Sequence, residues 1–251
     1  MADVSNIEVF FPCISVVPQC LIRDGNTLAL WRLDESGSTW ADATTNYPLT
    51  QSGSPSDVPG IISGGRRFTA NGQYGLAASD ATARSQFTDG EWTVELWFKA
   101  TTADWAVVPT SFMPIVALGG NGVGGAAENR LFGITVVHPT REITVHSQSG
   151  VNVYQFGPAG ITFPSLNTWA HIAFRSTSDG LGTFNWDVFV NGVFKGRRTL
   201  RVAPSDGTSA EWKISGGDPA DPPFSLRGWV DDVRISSIPR SDAEILESYN
   251  R

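Results

Sequence analysis

The chain has 251 residues, 41% of them hydrophobic and only 17% charged, with nine Trp, fourteen Phe, twenty-six Gly and fifteen Pro. This composition supplies a sizeable core and many turns, and it excludes a disordered or charge-dominated chain. A formal net charge of −7 argues against nucleic acid as a partner, because phosphate contacts need clustered Lys and Arg.

Residues 1–26 differ from the rest. Residues 7–22 are apolar, yet Pro12 and Pro18 exclude a helix interior or a central strand. The segment reads as an extended arm that packs on its own domain or on a neighbouring subunit. It is too short and too broken to insert in a membrane. The first residues lack the basic and apolar regions of an export signal, so synthesis in the cytoplasm is expected. Cys13 and Cys20 both lie in the arm, and a bridge or two free thiols both remain open.

From residue 27 onward, short β-rich runs alternate with turn clusters. Strands are expected over 27–33 and over 92–99. In the second, Trp92, Val94, Leu96 and Phe98 share one face, with Glu95 and Lys99 on a solvated opposite face. Further strands are expected over 115–118, 131–137, 143–146, 151–156 and 168–175. Runs 184–190 and 193–200 flank Asn191-Gly192, a two-residue hairpin signal because both positions need positive φ. Lys195, Arg197, Arg198 and Arg201 then lie on a solvated hairpin. Runs 212–215 and 228–235 complete the strands.

One helix is expected, at the end, where Ser241 and Glu244 have capping-box spacing and Ile245, Leu246 and Tyr249 give an apolar edge. Many short strands with one helix mean an all-β sandwich or barrel. Without an internal repeat or a low-complexity linker, residues 27–251 count as one domain and residues 1–26 as its arm.

Catalytic motifs are scarce. His138, His146 and His171 have no Gly-x-Ser-x-Gly elbow beside them, and His171 reads as a satisfied core residue. No Cys/His spacing suits zinc. The Gly119–Gly125 run lacks the following Lys-Ser/Thr of a phosphate loop.

Four segments, in order, resemble the laminin G-like family of concanavalin A-like sandwiches. They are Ala29-Leu-Trp-Arg-Leu-Asp34 with Asp42-Ala-Thr-Thr-Asn46; Trp92-Thr-Val-Glu-Leu-Trp-Phe-Lys99; Trp169-Ala-His171-Ile-Ala with Val190-Asn191-Gly192; and Gly228-Trp-Val-Asp231-Asp232-Val-Arg-Ile235. The resemblance covers roughly residues 27–251 and implies an antiparallel β-sandwich of jelly-roll type with a short C-terminal helix. It also implies one structural Ca2+ near Asp42, Asn46 and Asp231, with Asp232 less favoured. The plainer alternative is that these side chains cap turns and bind loop amides.

Glycosidases share this sandwich but need carboxylates on one strand face. Here Glu91 and Glu95 lack the middle acid, and the neighbours Asp231 and Asp232 point to opposite faces. No catalysis is expected. Two binding roles follow from the resemblance. In one, the chain is a structural component of a larger assembly such as a phage virion, meeting other subunits through its arm. In the other, it is a lectin-like carbohydrate-binding module, with Trp40, Tyr47, Trp105 and Tyr154 as sugar-stacking candidates. The two are compatible, and both place the protein on a virion or an extracellular surface. A glycoside hydrolase is the minor alternative.

Overall fold

A computed structural model describes residues 20–88, 90–108, 112–119, 130–149, 153–156, 159–200, 211–216 and 226–251. The N-terminal strands are β1 (Thr27–Trp31), β2 (Thr39–Trp40), β3 (Leu49–Ser52), β4 (Ser56–Pro59), β5 (Gly64–Phe68) and β6 (Tyr74–Ala78). Helix α1 (Ala81–Thr88), β7 (Trp92–Lys99), α2 (Thr102–Ala106), β8 (Phe112–Gly119), β9 (Arg130–Val137), β10 (Glu142–Ser149) and β11 (Val153–Phe156) follow. The chain closes with β12 (Ala170–Ser178), β13 (Phe184–Val190), β14 (Val193–Leu200), β15 (Glu211–Ile214), β16 (Gly228–Ser236) and α3 (Asp242–Asn250).

These strands form two antiparallel sheets packed as a sandwich. One runs β14-β13-β12-β7-β16-β5-β4, with β1 also on β16; the other runs β11-β10-β9-β8-β15-β6-β3-β2. The alternation along β7 explains the layer between them. Trp92, Val94, Leu96 and Phe98 enter the core with Ile172, Phe174, Val230, Val233 and Ile235 of the same sheet. Phe132, Ile134, Trp212 and Ile214 meet them from the second sheet. Helix α1 plugs the layer with Phe87, whose ring lies 5.1 Å from Trp92, 5.2 Å from Phe132 and 5.7 Å from Trp212.

The expected hairpin forms with φ 52° at Asn191 and 71° at Gly192, the left-handed pair that this turn requires. The expected capping box of α3 is also present, with Ser241 accepting from the Glu244 amide and Glu244 accepting from the Ser241 amide. Helix α3 then lies on the outer face of the first sheet. Its Ile245 packs with Ala173 and Phe189, and its Tyr249 ring lies 5.9 Å from Trp97.

That cover corrects one expectation. Glu95 is fully buried beneath α3 rather than solvated. Two bonds from Arg234 reach its Oε2, one of them from Nε at 3.0 Å, and Arg240 Nε stands 3.7 Å away. Arg234 also donates to Ser248 of α3 and to the Ile22 carbonyl. His171 is buried as expected but not satisfied. Its Nε2 stops 3.6 Å from Glu95, and neither ring nitrogen makes a hydrogen bond.

Most of the arm, with Cys13, lies outside the described residues. Residues 20–26 pack on their own sandwich. The Leu21 amide donates to Asp232, its carbonyl accepts from Arg32, and Asp24 pairs with Arg240.

Candidate functional site

Asp42 sits where β1 bridges the loop after β2, through the contact of Trp31 with Asp42. Its Oδ1 accepts the amides of Leu30 and Thr44 at 2.8 and 2.9 Å. Its Oδ2 accepts those of Asn46 and Tyr47 at 3.1 and 2.9 Å, together with the Thr44 hydroxyl. Asn46 contributes its amide, and it is exposed. Asp231 accepts from Ile61, Ile62 and Asp232 amides. A hard cation needs several free oxygen ligands, whereas these carboxylates are filled by N–H donors and share no partner. Among the described residues no group of three His, Cys, Asp or Glu is placed to hold a metal. The three residues therefore do not fit one calcium site; Asp42 organises its loop instead.

The acids at 231 and 232 do not form a surface dyad either. A β-bulge between Asp231 and Arg234 sends them to separate partners, and both are buried. Burial, with the charge of Asp232, pushes Asp231 up to about 8, and burial pushes Asp232 up to about 6. Both groups therefore hold protons more tightly folded than unfolded. Their contribution to stability is complete below the ordinary carboxylate range near pH 3.8 and is lost as pH rises to about 8. Thermal melts should accordingly fall in midpoint from pH 6 to 8.5, and Asp231→Asn should flatten that fall. A variant with an unchanged slope would remove Asp231 as its cause.

Three of the four nominated aromatics are interior. Trp40 is 0% exposed, against Phe68 and the Arg66 guanidinium. Tyr47 is 4% exposed, beside Trp212, and donates its hydroxyl to Asp80. Trp105 is 8% exposed, between Phe163 and His138. None of the three offers a ring face to a sugar. Tyr154 lies on β11 opposite Gln148, and its side chain is outside the described residues.

Two partly accessible tryptophans, Trp169 and Trp229, stand elsewhere, on the outer face of the first sheet. Trp229 of β16 pairs with Lys99 of β7 on one side and with Arg67 of β5 on the other. Because Ala170 faces Phe98, Trp169 comes across from Lys99. The row Trp169–Lys99–Trp229–Arg67 thus spans four neighbouring strands, and every member is half-buried. Gly228 permits it: a Cβ there would stand 2.7 Å from the Phe98 ring and 3.0 Å from the Lys99 carbonyl.

Within the row the two indoles meet nearly at right angles, 6.4 Å apart at 81°. Lys99 Nζ stands 3.5 Å from the Trp229 ring centre and 4.8 Å from that of Trp169. The Arg67 guanidinium is 5.7 Å from Trp229. These contacts are cation–π in kind.

Asp104, the capping-box residue of α2, fixes the row. It accepts the Thr101 amide and hydroxyl, Arg67 Nε and Nη2 at 3.1 and 2.7 Å, and Trp229 Nε1 at 3.1 Å. Burial alone would raise its pKa, but the bonds from Thr101 and Arg67 outweigh burial and hold it below the ordinary carboxylate value. Burial pulls Lys99 below the usual lysine value, with Asp104 opposing and Arg67 adding to the shift.

Sequence reasoning placed sugar-binding aromatics in loops and so missed Trp169 and Trp229. The signal was available in strand parity. Lys99 shares a face with Glu95 and not with Phe98, so its cross-strand neighbours also face outward.

The model of the concanavalin A-like lectin/glucanases superfamily, in its laminin G type, matches residues 69–246. No curated protein sequence matches the chain. Among solved structures, a Trypanosoma rangeli sialidase in complex with 2,3-difluorosialic acid is similar at TM-score 0.64 and 15% identity, over 93% of this chain and 36% of that one. The receptor binding domain of botulinum neurotoxin C/D mosaic serotype is similar at TM-score 0.65 and 11% identity, over 89% of this chain and 51% of that one. The chain thus spans between a third and about half of these structures, and at such identities the likeness is one of fold. With the family model covering most of the sandwich and both sheets in place, the chain belongs to the laminin G-like family of the concanavalin A-like lectin/glucanase superfamily.

Proposed function

We propose that this chain is a non-catalytic glycan-binding module whose ligand lies against Trp169 and Trp229. The observation that carries the reading is the pair of half-exposed indoles, set nearly at right angles on a sheet face, with Trp229 fixed by Asp104. Indoles offer an apolar face for the C–H side of a sugar, with a polar edge for its hydroxyls. A site held on strands is ordered before the ligand arrives, which reduces the entropy lost on binding. Structures of similar fold include a sialidase in complex with sialic acid and a toxin receptor binding domain, so the fold occurs in proteins that bind ligands or receptors.

The non-catalytic part rests on the acids around this face. Glu95, Asp104, Asp231 and Asp232 are all buried and committed to arginines or amides. A glycosidase of the two-carboxylate kind needs both groups flanking an accessible bond. The assembly role, in a virion or otherwise, depends on residues 1–26. Residues 1–19 lie outside the described residues, and residues 20–26 pack on their own domain. A glycan reader works where glycans are displayed, so a virion or extracellular surface is the setting this proposal expects.

Screening the intact chain on a glycan array tests the reading, with Trp169→Ala as the cleaner variant because Trp229 also bonds to Asp104. Truncating a central aromatic anchor costs about 2 kcal/mol or more, or roughly thirty-fold in affinity. Binding that survives Trp169→Ala unchanged, or release of hydrolysed sugar from the bound glycan, counts against the proposal.

A further inference from the structure

We infer that Lys99 reads a carboxylate, so that the glycan taken by this site is an acidic sugar. The inference rests on the glycan-binding reading above and adds the chemical class of the ligand.

The ammonium of Lys99 is held between two indole rings. Ring faces attract a cation but leave its three N–H donors without a conventional acceptor. Among the described residues Lys99 has no carboxylate within ion-pair distance. The nearest acid named in its surroundings is Asp104, which is 2% exposed and already takes five hydrogen bonds. Asp104 therefore cannot turn outward to serve Lys99 without giving up Trp229 or Arg67.

The charge balance of the row points the same way. Lys99 and Arg67 against Asp104 leave one net positive charge, on a chain whose formal charge is −7. A neutral sugar hydroxyl would satisfy one Lys99 donor. A carboxylate adds the attraction of opposite charges to the hydrogen bond, in a notch whose indole walls limit screening by water. The sugar ring then lies against Trp169 while its acid group reaches Lys99.

Calorimetry with matched acids and esters tests this. The probes are sialyllactose and hexagalacturonate, each beside its methyl ester, against the intact chain, Lys99→Gln and Trp169→Ala. The expected result is that one acid binds roughly ten-fold or more tightly than its ester, the loss that a charged hydrogen bond implies. Which acid does so separates a sialic acid source from a uronate source. Lys99→Gln should erase the acid–ester difference, whereas Trp169→Ala should weaken acid and ester alike and keep that difference.

Equal binding of acid and ester, or a preference that survives Lys99→Gln, overturns the inference. If Trp169→Ala still weakens both forms, the glycan site itself stands. Failure of both acids to bind also overturns the inference, and the array screen then decides separately whether the site binds neutral glycans.

Discussion

Asp42→Ala is expected to cost the fold about 3–9 kcal/mol, since three buried amides are left unpaired at about 1–3 kcal/mol each. The buried donors are Leu30, Thr44 and Tyr47, whereas the exposed Asn46 amide can turn to water. The loop also holds Thr45 at φ 71°, a left-handed conformation that a β-branched residue adopts only when its surroundings impose it. Without the carboxylate, only backbone bonds such as that from the Thr45 amide to the Asp42 carbonyl oppose that strain. Asp42→Asn keeps one acceptor oxygen and should lose roughly half as much. Urea unfolding monitored by tryptophan fluorescence measures both. A chelator control separates this account from a calcium-bound loop. If Asp42 works through amides, chelation leaves the wild-type midpoint unmoved; if it works through a cation, chelation lowers it about as far as the substitution does.

The second large effect is at Glu95. Removing one partner of a buried ion pair costs about 3–5 kcal/mol, because the other charge stays buried and uncompensated. Glu95→Ala strands the nearly inaccessible guanidinium of Arg234, whereas Arg240 keeps its pair with Asp24. The substitution also removes the carboxylate that His171 approaches. Burial would raise the pKa of Glu95, but His171 and Arg234 overcome that and hold it at about 2, so the pair stays charged through any working pH. Arg234 ties this site to Ser248 of α3 and to the Ile22 carbonyl. The loss should therefore appear first as release of the C-terminal helix. Limited proteolysis is expected to cut near α3 in Glu95→Ala before the rest of the sandwich opens. A variant as stable and protease-resistant as the parent would show that Glu95 does not clamp the helix.

Strand periodicity was the most legible part of the sequence. The bounds of β7, β13 and β14 follow from alternation and from the Asn191-Gly192 turn. The α3 cap follows from Ser241 and Glu244. The stretch from β2 to β6 was not legible. Those strands run two to five residues, too short to show a period. One of them buries Arg66 where a hydrophobic residue is the usual signal. Helix α2 has five residues, and α1 presents little beyond Ala83 and Phe87 to the core.

The site was half legible for a related reason. Parity puts Lys99 and Glu95 on the same outer face, yet one is half-exposed and the other fully buried. What separates them is where α3 lies, a long-range packing choice that neither residue encodes locally. The loop aromatics misled in the opposite direction. Trp40 and Tyr47 sit among turn residues, but they close the core against Phe68 and Trp212. Asp42 likewise looks like a metal ligand until its amide donors are seen.

The most direct test of the binding account is to follow the indole N–H resonances of the nine tryptophans in nitrogen-15-labelled chain while titrating the strongest glycan from the array. The account predicts that Trp169 and Trp229 shift to saturation while Trp40 and Trp105 stay in place. Movement of Trp40 or Trp105 with Trp169 and Trp229 unmoved at saturation would contradict it and place the ligand elsewhere on the sandwich.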